Sequence, residues 1–415
     1  VTSLDVGIVG AGFAGAAAAL FLAERGHRVT LYEEAAVPRP VGAGILMQPL
    51  GLAVLADLGL LGAAVERGSR VDTLLCTTPR GRRVLDLAYR DLFEDWFGLG
   101  MHRGALFELL HGQLAARGVK LLSGASVRGS RLTRSGRRPV LASGAEPGEH
   151  ELLVVADGAR STLRRELPSA RVTPYPWGAL WFVGEDPERI FAGCLRQVAD
   201  GTGTLLGFLP CGLGPRRPGE GPLVSLFWSV PIEDFARPGF VLARWKARVL
   251  ELEPRAESLV AQIEDPEQLL PASYFDVHLP EFHAPRLVCI GDAAHATSPQ
   301  LGQGTNLALE DARVLALCVS GTRDLQSGLE AFSAARREHV RYYQRASWGL
   351  TPFFQSHFAW LSPLRDALFG PLCDFPPSRR LMLGTLGGVA RGFLGQSLPL
   401  APIRARIGRN RGQLC

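Results

Sequence analysis

Residues Leu4–Glu34 read LDVGIVGAGFAGAAAALFLAERGHRVTLYEE. An apolar run ends at Val9, glycines follow at Gly10, Gly12 and Gly15, a helix of small residues comes next, and a second apolar strand ends at Glu33. The three glycines have separate mechanical tasks: the first makes a tight turn, the second lets a pyrophosphate approach bare backbone, and the third lets the helix lie close on the sheet. Ala14, the small residue before the third glycine, belongs to the same turn. The helix N-terminus then offers unpaired N–H groups to phosphates. Glu33 stands about 20 residues beyond the glycines, where an acid accepts ribose hydroxyls, and Glu34 is its rival for that role. This order of elements predicts a βαβ unit that binds a dinucleotide, and NAD and FAD both fit it.

Working outward, the 415 residues with 47% hydrophobic content suffice for one large interleaved domain or two ordinary ones. The net charge of +5 is small for this length, and Lys120 and Lys246 are the only lysines. No basic stripe is interleaved with aromatics, which argues against a nucleic-acid partner. The basic end, Arg404, Arg406, Arg409 and Arg411, reads as a solvated tail, with membrane or partner contact as the alternative. The seven cysteines show no CxxC and no pairing rhythm, so no zinc site or disulfide framework is signalled and a reducing, cytoplasmic setting is expected. No leader pattern precedes the first strand, and the apolar runs break before the ~20 residues of a membrane span. GxSxG, HExxH and P-loop patterns are lacking, which removes support for nucleophilic hydrolysis, zinc chemistry and phosphoryl transfer.

Three later segments narrow the dinucleotide. VGAGILMQPLGLAVLADLGL (41–60) places Gly42 and Gly44 before a helix. LLVVADGARSTLRREL (152–167) is an apolar strand ending in Asp157-Gly158, followed by Arg160, Ser161 and Arg164. RLVCIGDAAHATSPQLGQGTNLALEDARVLA (286–316) is a strand ending in Gly291-Asp292, then Pro299, Gly302 and Gly304, then a helix from about Asn306. With the first turn, these segments resemble the single-component FAD monooxygenases, the flavoprotein aromatic hydroxylases with a p-hydroxybenzoate hydroxylase-like fold. The resemblance runs from residue 4 to about 345 and rests on the GxGxxG, DG and GD motifs in the family's order.

The resemblance implies an α/β fold: a Rossmann-like FAD-binding domain (1–72, 101–175 and 281–330) interleaved with a mostly β substrate domain (73–100 and 176–280), and a helical C-terminal region (331–415). It places Asp292 at the ribityl and pyrophosphate part of FAD, and the turn after Pro299 beside the isoalloxazine. Gly302 and Gly304 would let backbone amides approach the flavin edge. The helix beginning near Thr305 or Asn306 would point its positive end at the flavin, stabilising its anionic reduced form. Gly44, Asp157 and Arg103, in MHRGALFELLHGQL (101–114), join this cofactor set. Reduction by NADPH or NADH, reaction with O2 to a C4a-hydroperoxide and hydroxylation or epoxidation of a small aromatic complete the implied activity. Arg160 and Arg164 are the candidates for a nicotinamide-nucleotide phosphate. A reductase, a halogenase and a non-catalytic flavoprotein are the rival outcomes of the fold.

Residues 176–280 are rich in alternating apolar and aromatic strands, among them YPWGALWFVG, GTLLGFLPCG and LVSLFWSVP. Trp177, Trp181, Phe208 and Trp228 read either as sheet core or as the lining of a substrate pocket. Their apolar character points to an aromatic, quinone-like or polyketide-like substrate. His295 reads as a structural hydrogen-bonding histidine inside the third motif. The tail, with FFQSHFAWLSPLRDALFG (353–370), has few charges and is expected to cap the cavity, pair subunits or rest on a membrane surface.

Overall fold

The structure is a computed structural model that describes residues 3–38, 42–215, 221–235, 240–322 and 324–408; Val41, Arg409, Arg411 and Cys415 lie outside them. Asp5–Val9 pairs in parallel with Arg28–Glu33 on one side and Leu152–Val155 on the other. Leu287–Cys289 and Lys120–Ser123 extend this parallel sheet, and the short His283–Ala284 closes its edge antiparallel. The strands at its centre are continuous apolar runs because both faces are covered. One cover is the helix Phe13–Glu24, whose alanines 16 to 19 are wholly buried and let it lie against the helix Gly304–Ser320.

A nine-stranded mixed sheet forms the second layer. Its order runs Leu270–His278, Arg171–Glu185, Leu223–Pro231, Thr204–Gly212, Gly193–Asp200, Ser69–Thr77, Gly98–His102, Gly44–Met47, with Arg83–Ala88 paired to Ser69–Thr77. Segments far apart in sequence therefore share one sheet: Cys194–Val198 runs parallel to Thr73–Thr77, and Gly44–Met47 pairs with Leu99–His102. A register shift between Pro174 and Gly178 bends the long strand Arg171–Glu185. One face of this sheet is sealed by the helix Leu242–Leu252 through Trp245 and Val249.

Beyond residue 324 the chain is helical: Leu325–Phe354, Leu361–Asp374, Pro376–Leu386 and Leu400–Gly408. These helices do not form a separate body. Leu400–Gly408 packs on the helix Pro49–Asp57, where Arg406 pairs with Asp57 at 2.9 Å, and Leu361–Asp374 packs on Arg83–Ala88. Among the described residues, no helix is long and apolar enough to cross a membrane.

Candidate active site

Because the central strands are parallel, the turns after Val9, Glu33, Val155 and Cys289 emerge at one edge of the sheet, where α/β proteins bind their ligands. Gly10 adopts φ +96°, and a Cβ there would lie 2.5 Å from the Ala156 carbonyl. A Cβ on Gly15 would lie 1.9 Å from the Gly10 carbonyl, so helix and turn touch backbone to backbone. Gly12 behaves oppositely: a Cβ there meets nothing within 4 Å. The same holds for Gly158 and Gly302, and Gly304 would meet only Asp292 Oδ1, at 3.7 Å. Glycines from three distant motifs thus open onto free space at one sheet edge, while their neighbours are tightly packed.

Of the two glutamates, Glu33 faces this edge. Its carboxylate accepts from the Ala11 and Ala35 amides, both at 2.9 Å, which fixes it beside the glycine turn. Glu34 is exposed and turned to Ser126 (2.9 Å) and Arg128 (3.3 Å). Arg103 stands across the cleft, its guanidinium 5.2 Å from the Phe13 ring centroid. It is solvent-accessible, yet desolvation by the protein around it lowers its pKa, against the opposing charges of Asp292 and Tyr274. Both observations suit a side chain on the wall of a deep cleft. Asp157 is half-buried and burial raises its carboxyl pKa, although Ser161 opposes this; one of its oxygens has no hydrogen-bond partner. Asp292 is exposed. Donors in the open glycine amides and Arg103, with acceptors in Glu33, Asp157 and Asp292, match the alternating phosphate, hydroxyl and ring edges of a flavin dinucleotide.

Several expected contacts are committed to protein instead. Ala14 is buried, and a Cβ on Gly291 would come within 2.8 Å of its methyl, so it spaces the first helix from the third motif. Gly44 is buried against Cys211 and Ser225, and its amide donates to Ser225 Oγ at 3.0 Å. The Asn306 side chain is fully buried; it accepts from the Gln48 amide (2.9 Å) and donates to the Leu46 (3.1 Å) and Gly302 (3.2 Å) carbonyls. Pro299 and Thr305 are half-buried beside the loop this clamp holds. Arg164 is buried: Nε donates to Ser161 O (3.1 Å) and Nη2 to Gly158 O (3.1 Å) and Ala159 O. It braces the DG loop and is not free for a soluble nucleotide. Arg160 is exposed, over the Phe275 ring at 5.9 Å.

The four aromatics divide between the two faces of the nine-stranded sheet. Phe208 is wholly buried and stacks on Phe191 (centroids 4.3 Å apart), and Trp228 packs edge-on against Trp245 at 5.9 Å. Phe208 belongs to the core under the helix Leu242–Leu252 and Trp228 packs against it, which favours sheet core over pocket lining for these two. Trp181 is on the opposite face, 5.2 Å from the Phe227 ring, and its indole N–H donates to Tyr274 Oη at 3.2 Å. Trp177 is buried on that face beside His357, at 5.4 Å. Tyr274, absent from the sequence reading, links this face electrostatically to Arg103.

A buried charged chain also escaped the sequence reading. His295 Nε2 lies 2.6 Å from Asp311 Oδ2, which also accepts from the Gly291 amide at 2.8 Å. Arg336 Nε donates to Asp311 Oδ1 at 2.6 Å and Nη1 to His339 Nδ1 at 2.7 Å, and His339 Nε2 donates to Gly388 O at 2.8 Å. Burial alone would raise the Asp311 carboxyl, but His295 and Arg336 hold it far below the usual range. His295 is therefore part of the scaffold that aims the GD turn. The signal was present in the helical period: Asp311 falls between Leu307 and Leu315 on an apolar face, and Arg336 between Leu329, Phe332 and Val340.

A family model described as FAD binding domain matches residues 3–347. Aurachin C monooxygenase/isomerase of Stigmatella aurantiaca is 28% identical over 383 residues, covering 88% of this chain and 94% of that protein. Kynurenine 3-monooxygenase of Salinispora arenicola is 30% identical over 369 residues, covering 80% of this chain and 76% of its own length. The crystal structure of Klebsiella pneumoniae HpxO complexed with FAD and uric acid superposes with a TM-score of 0.77 at 22% identity, covering 94% of this chain and 98% of that one. The fold and the site define the class, FAD-dependent monooxygenases. The chain belongs to this family of FAD-binding enzymes, and FAD is its cofactor.

Proposed function

We propose that the chain oxygenates an apolar aromatic or quinone-like small molecule, by hydroxylation or epoxidation, at the expense of NADPH or NADH and O2. The observation that carries this reading is the junction at Tyr274, where the aromatic face of the sheet begins beside Arg103 and the open glycines. When bound, FAD supplies the electron transfer and oxygen activation. The residues of the chain supply place and environment. Gly12 and the N-terminus of Phe13–Glu24 would hold the pyrophosphate, Glu33 the ribose, and Arg103, Asp157 and Asp292 the polar middle of the cofactor. Gly302 and Gly304 would leave the N-terminus of Gly304–Ser320 bare toward the flavin ring, with Pro299 and Thr305 at its sides. Trp177, Trp181 and Phe227 would flank the substrate ring and exclude water from it. Arg160, on the DG loop and exposed, is the candidate for the nicotinamide nucleotide.

The division into an FAD-binding part (1–72, 101–175, 281–330), a substrate part (73–100, 176–280) and a helical region belongs to this proposal. So does a cytoplasmic setting, to which six described cysteines without a disulfide are suited. The Stigmatella and Salinispora relatives are both monooxygenases by name, which favours oxygenation over reduction or halogenation. The test is an anaerobic titration of the FAD-loaded protein with NADPH and NADH, following flavin bleaching with and without a panel of apolar aromatics, and then product formation on admitting O2. Bleaching accelerated by such a compound, with an oxygenated product, is expected. Stimulation only by small hydrophilic acids would refute the substrate class, and a flavin that neither nucleotide reduces would indicate a partner-dependent enzyme.

A further inference from the structure

The helix Leu361–Asp374 has an inner and an outer face of opposite character. Inward, Leu361, Arg365, Phe369 and Cys373 are buried. Arg365 spends its charge on the Gly201 (2.6 Å) and Phe353 (2.9 Å) carbonyls and on Asp366 (2.7 Å). Outward, Leu364, Leu368 and Leu372 recur every fourth residue, with Pro363, Ala367 and Pro371 in a parallel row beside them, and all six are exposed. Trp360, 68% exposed, and Phe358 extend the stripe before the helix, and Phe375 extends it after. The charges beside it are paired, Asp366 with Arg365 and, at its C-terminal end, the exposed Asp374 with Arg83.

We propose that this helix pairs with its own copy about a twofold axis, making the chain a homodimer. The stripe is complementary to itself: a ridge of leucines beside a furrow of Pro and Ala is what two helices need to interlock along their every-fourth-residue rows, at a crossing of about 50°. Its side chains together expose roughly 700 Å2, close to the ~800 Å2 per partner of a standard interface and above the apolar patches that monomers commonly carry. A lipid surface fits less well, because helices that lie on bilayers carry Lys and Arg along the polar margin, whereas the one basic residue here is buried and bonded to backbone. Near the twofold axis a residue meets its own copy, which for a 14-residue helix falls at Ala367 or Leu368.

The test is sedimentation of the purified, FAD-loaded chain at micromolar concentration. A dimer is expected; Leu368→Glu, which would bring two carboxylates together, is expected to weaken it at least ~100-fold while leaving flavin content and turnover unchanged. Leu132→Glu, at an exposed site on the hairpin of Val127–Leu132 and Arg137–Leu141, is expected to remain dimeric. Oxidised Leu368→Cys should migrate as a crosslinked pair on a non-reducing gel. A wild-type monomer, a dimer untouched by Leu368→Glu, or a monomer that floats with anionic vesicles through this stripe would each overturn the proposal.

Discussion

The parallel sheet that ends in the glycine turns and the mixed sheet that carries the tryptophans come together around Arg103 and Tyr274, yet in the proposed function they would use sequence in opposite ways. At the first, the proposed function would fall on backbone: Gly12, Gly158 and Gly302 leave space open, and Gly10 and Gly15 sit where space is denied to a side chain. Such constraints are local, so they appear as short motifs. At the second, it would fall on side chains whose face is set by register with partners up to about a hundred residues away, and by a shift between Pro174 and Gly178. Moving a strand by one residue sends every side chain to the other face. A cofactor cradle is therefore legible from its own segment, and a substrate wall only from the assembled sheet.

The sharpest challenge to this contrast is the buried chain that joins the GD turn to the helical region. Asp311→Ala strands Arg336 in the core and is expected to cost about 3–5 kcal/mol, measured by urea unfolding, with loss of bound flavin. Unchanged stability would mean that the GD turn holds its shape alone. Next come the two faces of the mixed sheet. Trp228→Ala should lower stability by about 2–3 kcal/mol and leave the substrate KM unaltered, because its ring packs on Trp245. Trp181→Ala should do the reverse, raising KM or the unproductive oxidation of NAD(P)H about tenfold with a smaller loss of stability. If both variants behave alike, the separation of faces is wrong.

A smaller effect distinguishes the two arginines of the DG loop. Arg160→Ala is expected to raise the KM for the nicotinamide nucleotide about five- to tenfold at constant flavin content, whereas Arg164→Ala should cost stability first, because three backbone carbonyls lose their donor. Equal shifts in nucleotide KM would return Arg164 to the binding site. The smallest effect is a pH slope. His339 is held well below 6.5, first by burial and then by Arg336, so it is neutral in the folded chain. The unfolded chain takes up a proton near 6.5 that the folded chain refuses; stability is full above that pH and is lost as pH falls toward the folded value, at up to ~1.4 kcal/mol per pH unit. Thermal unfolding of His339→Gln between pH 7 and 5 should show a shallower slope, with a residue of it left because burial also lowers His27, His111 and His283.

How much of the molecule was readable follows from the same physics. The βαβ unit and the three motifs could be read because each is specified within some 30 residues. Spacing leaves Glu33 and Glu34 open; the proposal takes Glu33, whose carboxylate accepts from the Ala11 amide. Phe208 and Trp228 could not be sorted from Trp177 and Trp181, because all four sit in apolar, alternating strands and only pairing tells one face from the other. Arg164 looked available because an arginine after a DG turn carries no mark of burial. Its local carbonyl partners depend on a loop conformation that composition does not encode. What the sequence did not tell of Asn306 is its side chain: its amide joins Gly302 to the Leu46–Gln48 segment and so holds the loop.

The tie between Gln303 and the Thr385 and Leu386 carbonyls, at 3.2 and 2.7 Å, together with His339 on Gly388, has a consequence for biosynthesis. A chain leaves the ribosome from its N-terminus, so the glycine turn that would hold the adenylate end is complete early. The loop proposed for the redox end lacks this one of its supports until the segment around residue 388 has emerged. Nascent chains arrested before that point should therefore retain flavin less firmly than chains that extend past it.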